Sequence, residues 1–254
     1  MTWFVAIAIA VAMWWLTTVV ALYRIGLPAS TYSRTYGLAT IVLLVGVVAV
    51  AFSLRLPTVL GAYLGFTGAL LIWSWHELSY YLGFITGPAP RACPPNRSTV
   101  ERFVHGVRAS LHHELAIIAT ALLLFVMAWR APNLIAFHTF CVLWLMRWSA
   151  KLNIFFGARN VHMEFLPSHL QYLATYMSSR SMNALFPFVM AAAVFVIYQL
   201  IRTAQDGSAY LVTTHALLAT LLFLAILEHV LLMVKVPDGI LWRLGTGSRE
   251  ANST

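Results

Sequence analysis

The chain has 254 residues, of which 61% are hydrophobic and 9% charged, with a formal net charge of +8. A usual soluble domain carries about 25% charged residues, so a large soluble catalytic domain is excluded. Several segments exceed the ~18–20 apolar residues that cross a bilayer, which points to an all-α, polytopic membrane protein. The basic residues sit at helix ends and form no tract, so the composition implies the lipid bilayer as a partner and no nucleic acid.

The first expected span is Thr2–Tyr23, with Trp3, Trp14 and Trp15 as interfacial or lipid-facing aromatics. It lacks a basic leader and is too long for a signal segment, so it reads as retained. A second span follows at Tyr36–Leu54, almost wholly aliphatic, and a third at Thr58–Phe84, whose Gly61, Gly65 and Gly68 permit close helix contact. The loop Gly87–Arg97 holds four prolines, and Ser98 or Thr99 is placed to cap the next helix with Glu101 in its first turn. Spans four and five are expected at Val100–Trp129 and Leu134–Phe156, separated by Arg130-Ala131-Pro132-Asn133. The stretch Gly157–Arg180 is too polar to span; an interfacial helix is expected between Pro167 and Met177. Spans six and seven are expected at Asn183–Ile201 and Tyr210–Val234. Cys93 and Cys141 lie in different segments without CxxC spacing, which supports neither a disulfide framework nor a thiolate metal site. No internal repeat and no linker to a second domain is visible.

Seven spans place the termini on opposite sides. One set of loops holds Arg55, Arg130 and Arg202; the other holds Arg24, Arg34, Arg91, Arg97, Arg159, Arg180, Lys235, Arg243 and Arg249. That bias predicts a cytoplasmic C-terminus and an N-terminus outside.

Histidine and glutamate recur side by side: His76-Glu77, His112-His113-Glu114, His162-Met163-Glu164 and Glu228-His229. An ionisable group at membrane depth is costly and needs a partner. The topology sets all four clusters, and His169, towards the cytoplasmic side. We therefore expect Glu77, Glu114 and Glu228 to face one polar cavity beside His76, His113 and His229, with the loop pair His162 and Glu164 capping it. Imidazole and carboxylate together are a ligand set for iron, manganese or zinc. That makes His76, Glu77, His113, Glu114, Glu164, Glu228 and His229 candidate metal ligands, with His112, His162 and His169 secondary.

The Glu-x-x-His spacing of di-metal bundles is missing, as are HxxxH and HxxHH boxes. Adjacent residues diverge by about 100° on a helix, so His112 and Glu114 point nearly opposite ways. Arg108, Arg147 and Lys151 lie at similar depth, and Glu101, His105, Arg108 and His112 form one polar stripe. Three readings stay open: a structural polar network, a metal site, and a site contacting a chlorin or quinone. Lone His138 and His215 read as hydrogen-bonded interior residues.

Five strings carry a family resemblance: HELSYYLGFITGP (His76–Pro88), His113-Glu114-Leu115, WLMRWSAKLNIFFG (Trp144–Gly157), Glu164-Phe165-Leu166-Pro167 and NALFP (Asn183–Pro187). Together they resemble the PuhE family of photosynthetic complex assembly proteins from purple-type phototrophic bacteria. At Trp148 the family pattern leads one to expect a smaller residue before the serine. The resemblance implies an inner-membrane assembly or regulatory factor for the reaction centre, its antenna or the bacteriochlorophyll supply. Reaction-centre or antenna subunits, or pigment-synthesis proteins, would be its partners. The rival, from the residues alone, is a di-metal oxidoreductase acting on a tetrapyrrole, carotenoid or quinone. Iron or manganese, and bacteriochlorophyll or a precursor, are the corresponding candidate cofactors. A transporter lacks support, because no paired Gly/Pro-broken spans appear in repeated halves.

Overall fold

The structure, a computed structural model, describes residues 2–160, 166–205 and 207–234. It is all-helical, with no strand among the described residues. The helices are α1 (Thr2–Ile25), α2 (Tyr32–Ser53), α3 (Val59–Tyr81), α4 (Thr99–Ala128), α5 (Ile135–Phe156), α6 (Leu185–Ala204) and α7 (Ala209–Met233). A 3-10 helix, Ser168–Tyr176, occupies the stretch where an interfacial helix was expected. Among the described residues, five helices are long and apolar enough to cross a membrane: α1, α2 with its preceding turn (Ala29–Ser53), α4, α6 and α7. The other two, α3 and α5, carry His76, Glu77, Arg147, Lys151 and Asn153. Their apolarity is diluted by the side chains that build the site.

Side-chain hydrogen bonds start α3 to α7. The Thr58 hydroxyl accepts from Gly61 N–H at 3.1 Å at the start of α3, and Ser208 accepts from Leu211 N–H at 3.3 Å at the start of α7. Ser98 and Glu101 form a capping box: the Ser98 hydroxyl accepts from Glu101 N–H, and the Glu101 carboxylate accepts from Ser98 N–H. For α5 and α6 the starting residue is an asparagine that also ties helix ends together. Asn133, fully buried, donates to the carbonyls of Ser53 (3.0 Å) and Leu56 (3.1 Å), and its oxygen accepts from Ile135 N–H and the Tyr210 hydroxyl. Asn183 donates to Asn153 and Gly157 carbonyls at the opposite end, and its oxygen accepts from Leu185 and Phe186 N–H.

These bonds define two ends of the bundle. One gathers the end of α2 and the starts of α5 and α7. The other gathers the ends of α5 and α7, where Arg159 N–H and Asn160 N–H donate to Leu232 O, both at 3.0 Å. The loop after α3 belongs to this second end, since Cys93 N–H donates to the Thr175 hydroxyl and Tyr176 donates to Arg91 O.

The core lies around α3. Its contact with α2 is backbone-close: a Cβ at Gly46 would lie 2.9 Å from Gly68 O, and one at Gly68 would lie 2.8 Å from Gly46 O. Only glycine permits that approach, which removes any side chain between the two helices. Phe66, Leu70, Ile135, Leu217 and Leu221 fill the space between α3, α5 and α7. Ile72, Trp73, Ile117, Leu124 and Phe140 fill that between α3, α4 and α5. This packing leaves the last turns of α3 facing the middle of α4 and the second half of α5.

Candidate functional site

Helical spacing assembles the site. On α3, His76 and Tyr80 lie four residues apart on one face, and Glu77 and Tyr81 on the next. On α5, Arg147 and Lys151 are likewise four apart, so both cations leave the helix in one direction. On α4, His113 and Glu114 turn inward, while Arg108 and His112 face outward and His105 is half-buried. The polar stripe of α4 therefore runs along its outer side, and Arg108 takes no part in the site.

Arg147 joins the two carboxylates. Its Nε lies 2.6 Å from Glu77 Oε1, and its Nη1 donates to Glu114 Oε1 at 3.0 Å. Lys151 Nζ donates to the same Glu114 oxygen. Glu114 and Arg147 side chains are 6% and 13% exposed, against 20% for Glu77 and 33% for Lys151, so the two negative and two positive charges offset one another around a buried Glu114–Arg147 centre with a partly solvated edge. Below them lies Tyr80. The Arg147 guanidinium carbon is 5.6 Å and Lys151 Nζ 5.4 Å from its ring centroid, within cation–π range.

His113 sits against Tyr80, with ring centroids 4.7 Å apart, and is wholly buried. Its Nε2 lies 4.0 Å from Glu77 Oε1, too long for a hydrogen bond. Neither of its ring nitrogens has a hydrogen-bond partner. His76 pairs through Nε2 with the Thr120 hydroxyl at 2.9 Å.

The remaining expected residues are elsewhere. His229 bonds Ala225 O through Nδ1 (2.8 Å) and the Ser149 hydroxyl through Nε2 (2.9 Å). A carbonyl only accepts, so Nδ1 carries the proton and Nε2 accepts from Ser149. That makes His229 a tie between α7 and α5. His169 packs across Gly83 and against Tyr32, with ring centroids 6.1 Å apart, near the start of α2. His162 and Glu164 lie outside the described residues.

Two cavities flank the charged group. The first, about 430 Å³, lies among α1, α3, α5 and α7, and Glu228 and Glu77 both line it. The second, about 290 Å³, lies among α3, α4 and α5 beneath the Ser168–Tyr176 helix, and Glu77 and Glu114 both line it. Glu77 and Arg147 belong to the walls of both. The three glutamates thus border two adjoining cavities, with the Glu77–Arg147 pair as the partition. Among the described residues, no three His, Cys, Asp or Glu side chains gather at metal-binding spacing. The spaces between the carboxylates are taken by Arg147 and Lys151.

Sequence reasoning missed the partners that fix the histidines, Thr120 and Ser149, and the two asparagine ties. Hydroxyl partners leave no pattern in a single chain. The asparagines do leave one: Asn133 and Asn183 each stand just before an apolar run, as helix-starting residues do.

The family model described as "Protein of unknown function (DUF3623)" matches residues 1–253. A Rhodobacter capsulatus relative, described as an uncharacterized 30.4 kDa protein in the puhA 5′ region, is 34% identical over 247 residues. The match covers 94% of this chain and 89% of the relative. No solved structure matches the chain.

Proposed function

We propose, from the premise that the chain belongs to the DUF3623 family, that it is an assembly or regulatory factor for bacterial photosynthetic complexes. It acts in the inner membrane by binding complex subunits, pigment or pigment-synthesis proteins. The observation that carries this reading is the near full-length match to a relative described by its place beside puhA, a photosynthesis gene region. The PuhE resemblance of the strings around Glu77, Glu114 and Arg147 supports it. So does the internal charge balance of the site: carboxylates neutralised by cations from a neighbouring helix suit a scaffold that holds one shape.

In this reading all seven helices span the membrane, with the N-terminus periplasmic and the C-terminus cytoplasmic. α3 and α5 cross despite their polar residues because the polar groups face one another inside the bundle. The helix-end hydrogen bonds, which group alternate ends together, support the alternation that seven spans require.

A second reading, a glutamate–histidine metal centre, draws on one observation: His113 is buried beside Glu77 with both ring nitrogens unpartnered. Purification of the tagged full chain from membranes of its source bacterium separates the two. The assembly reading expects reaction-centre or antenna polypeptides, or pigment, to co-purify, without stoichiometric metal. About one or two iron or manganese ions per chain, with no such polypeptides or pigment, would reverse the preference.

A further inference from the structure

One face of α4 takes no part in the bundle. The helix packs on α3 and α5 through its buried side, which carries Ser110, His113, Glu114, Ile117, Ala121 and Leu124. On the reverse, Arg108, His112, Leu115, Leu122 and Val126 are exposed and His105 is half-buried. At 3.6 residues per turn these six fall within about 100° of arc. Along the axis the face changes character once. Leu115, Leu122, Leu123 and Val126 make it apolar, and His112, Arg108 and His105 follow towards the start of the helix, each one turn from the next.

Depth gives that change a meaning. α4 is long and apolar enough to cross a membrane. Arg108 stands about 20 residues before Ala128, roughly 30 Å along the axis, which is the thickness of the hydrocarbon core. Exposed Trp129, next after Ala128, suits the opposite boundary. Arg108 therefore lies where hydrocarbon gives way to headgroups, with His112 one turn inside and His105 one turn outside.

Charge names the partner. Among the described residues no ion pair uses Arg108. Glu101, the acid on this face, is engaged by Arg97 at 3.1 Å and by Ser98 N–H at 3.0 Å. The guanidinium fork matches a phosphate in two bonds, and an imidazole on either side offers at least one N–H more. A single guanidinium balances one phosphate whose headgroup brings no ammonium of its own.

We propose that this face binds one anionic phospholipid of the phosphatidylglycerol kind, its phosphate held by Arg108 between His105 and His112 and its chains along the apolar stretch that begins at Leu115. The site lies outside the Glu77–Arg147–Glu114 network. It requires only that α4 crosses the membrane, whichever complexes the protein serves.

The test uses the full chain, purified and stripped of lipid in detergent, with native mass spectrometry as the readout. Palmitoyl-oleoyl-phosphatidylglycerol and the phosphatidylcholine with the same chains are titrated separately. The first phosphatidylglycerol should bind about tenfold tighter than the first phosphatidylcholine, the size of one charge-assisted contact. Arg108→Gln should remove that preference, and Arg108→Lys should keep part of it. Arg34→Gln, which removes an exposed cation of α2, should leave it unchanged. Should Arg108→Gln fail to fold, His112→Leu puts an apolar side chain on the same exposed face and should weaken phosphatidylglycerol binding several-fold. Equal affinity of the parent for the two lipids overturns the proposal. So does a preference that survives in folded Arg108→Gln or, failing that variant, in His112→Leu. Equal loss in Arg108→Gln and Arg34→Gln makes the preference a matter of net charge and overturns it too. A parent that is dimeric and turns monomeric in Arg108→Gln, without lipid preference, assigns the face to a second copy and overturns it as well.

Discussion

Replacing Arg147 by leucine isolates the charge network. The substitution removes the only cation within 4 Å of Glu77 among the described residues, leaving His113 Nε2 at 4.0 Å as its nearest basic group, while Glu114 keeps Lys151. Removing one partner of a buried pair costs about 3–5 kcal/mol, because the other charge is stranded. Glu77 keeps 20% side-chain exposure and borders two cavities, which lowers the cost to roughly 2–4 kcal/mol. At about 2–4 °C per kcal/mol for a chain of this size, the melting temperature should fall by about 5–15 °C. The double variant Arg147→Leu/Glu77→Leu should recover most of that loss, since an apolar pair replaces a buried ion pair at little cost. Arg147→Lys should fall between, because a point charge cannot bridge two carboxylates as the guanidinium fork does. A thiol-reactive dye follows unfolding in detergent. In a Cys93→Ser background the half-buried Cys141 of α5 is the remaining reporter. A single variant melting within about 1 °C of the parent, or a double variant no more stable than the single, would refute the reasoning.

Two further outcomes are expected. Asn133→Ala removes bonds to Ser53 O, Leu56 O, Ile135 N–H and the Tyr210 hydroxyl; at about 1 kcal/mol each, with some replaced by water, roughly 2–3 kcal/mol should be lost in the same melting assay. Reporter fusions at Arg130 and Thr254 should report opposite sides of the membrane, the first periplasmic, as the basic-residue bias requires; the same side for both would end the seven-span arrangement.

The sequence made the ingredients of the site legible through depth and spacing. Glu77 and Glu114 meet in one network because the directions of α3 and α4 bring those depths together. Two steps of about 100°, about 200° in all, correctly separate Glu114, turned inward, from outward-facing His112. The same step acts on α7, where Glu228 lines a cavity while its neighbour His229 bonds Ser149. Adjacency in the chain thus overstated how many of the pairs share one centre. Arg147 was visible as a possible counter-charge, but nothing in one sequence shows which two carboxylates a single guanidinium will bridge. That depends on the rotation of α5, which Asn133 and Asn183 help to set from opposite ends.

The most direct test of the central claim is the absorption spectrum of membranes after deletion of the gene from its source organism. The account predicts reaction-centre or antenna bands that are lowered or mistimed while respiratory complexes persist, with recovery on return of the gene. Unchanged pigment–protein bands and unchanged accumulation kinetics under several oxygen regimes would contradict it.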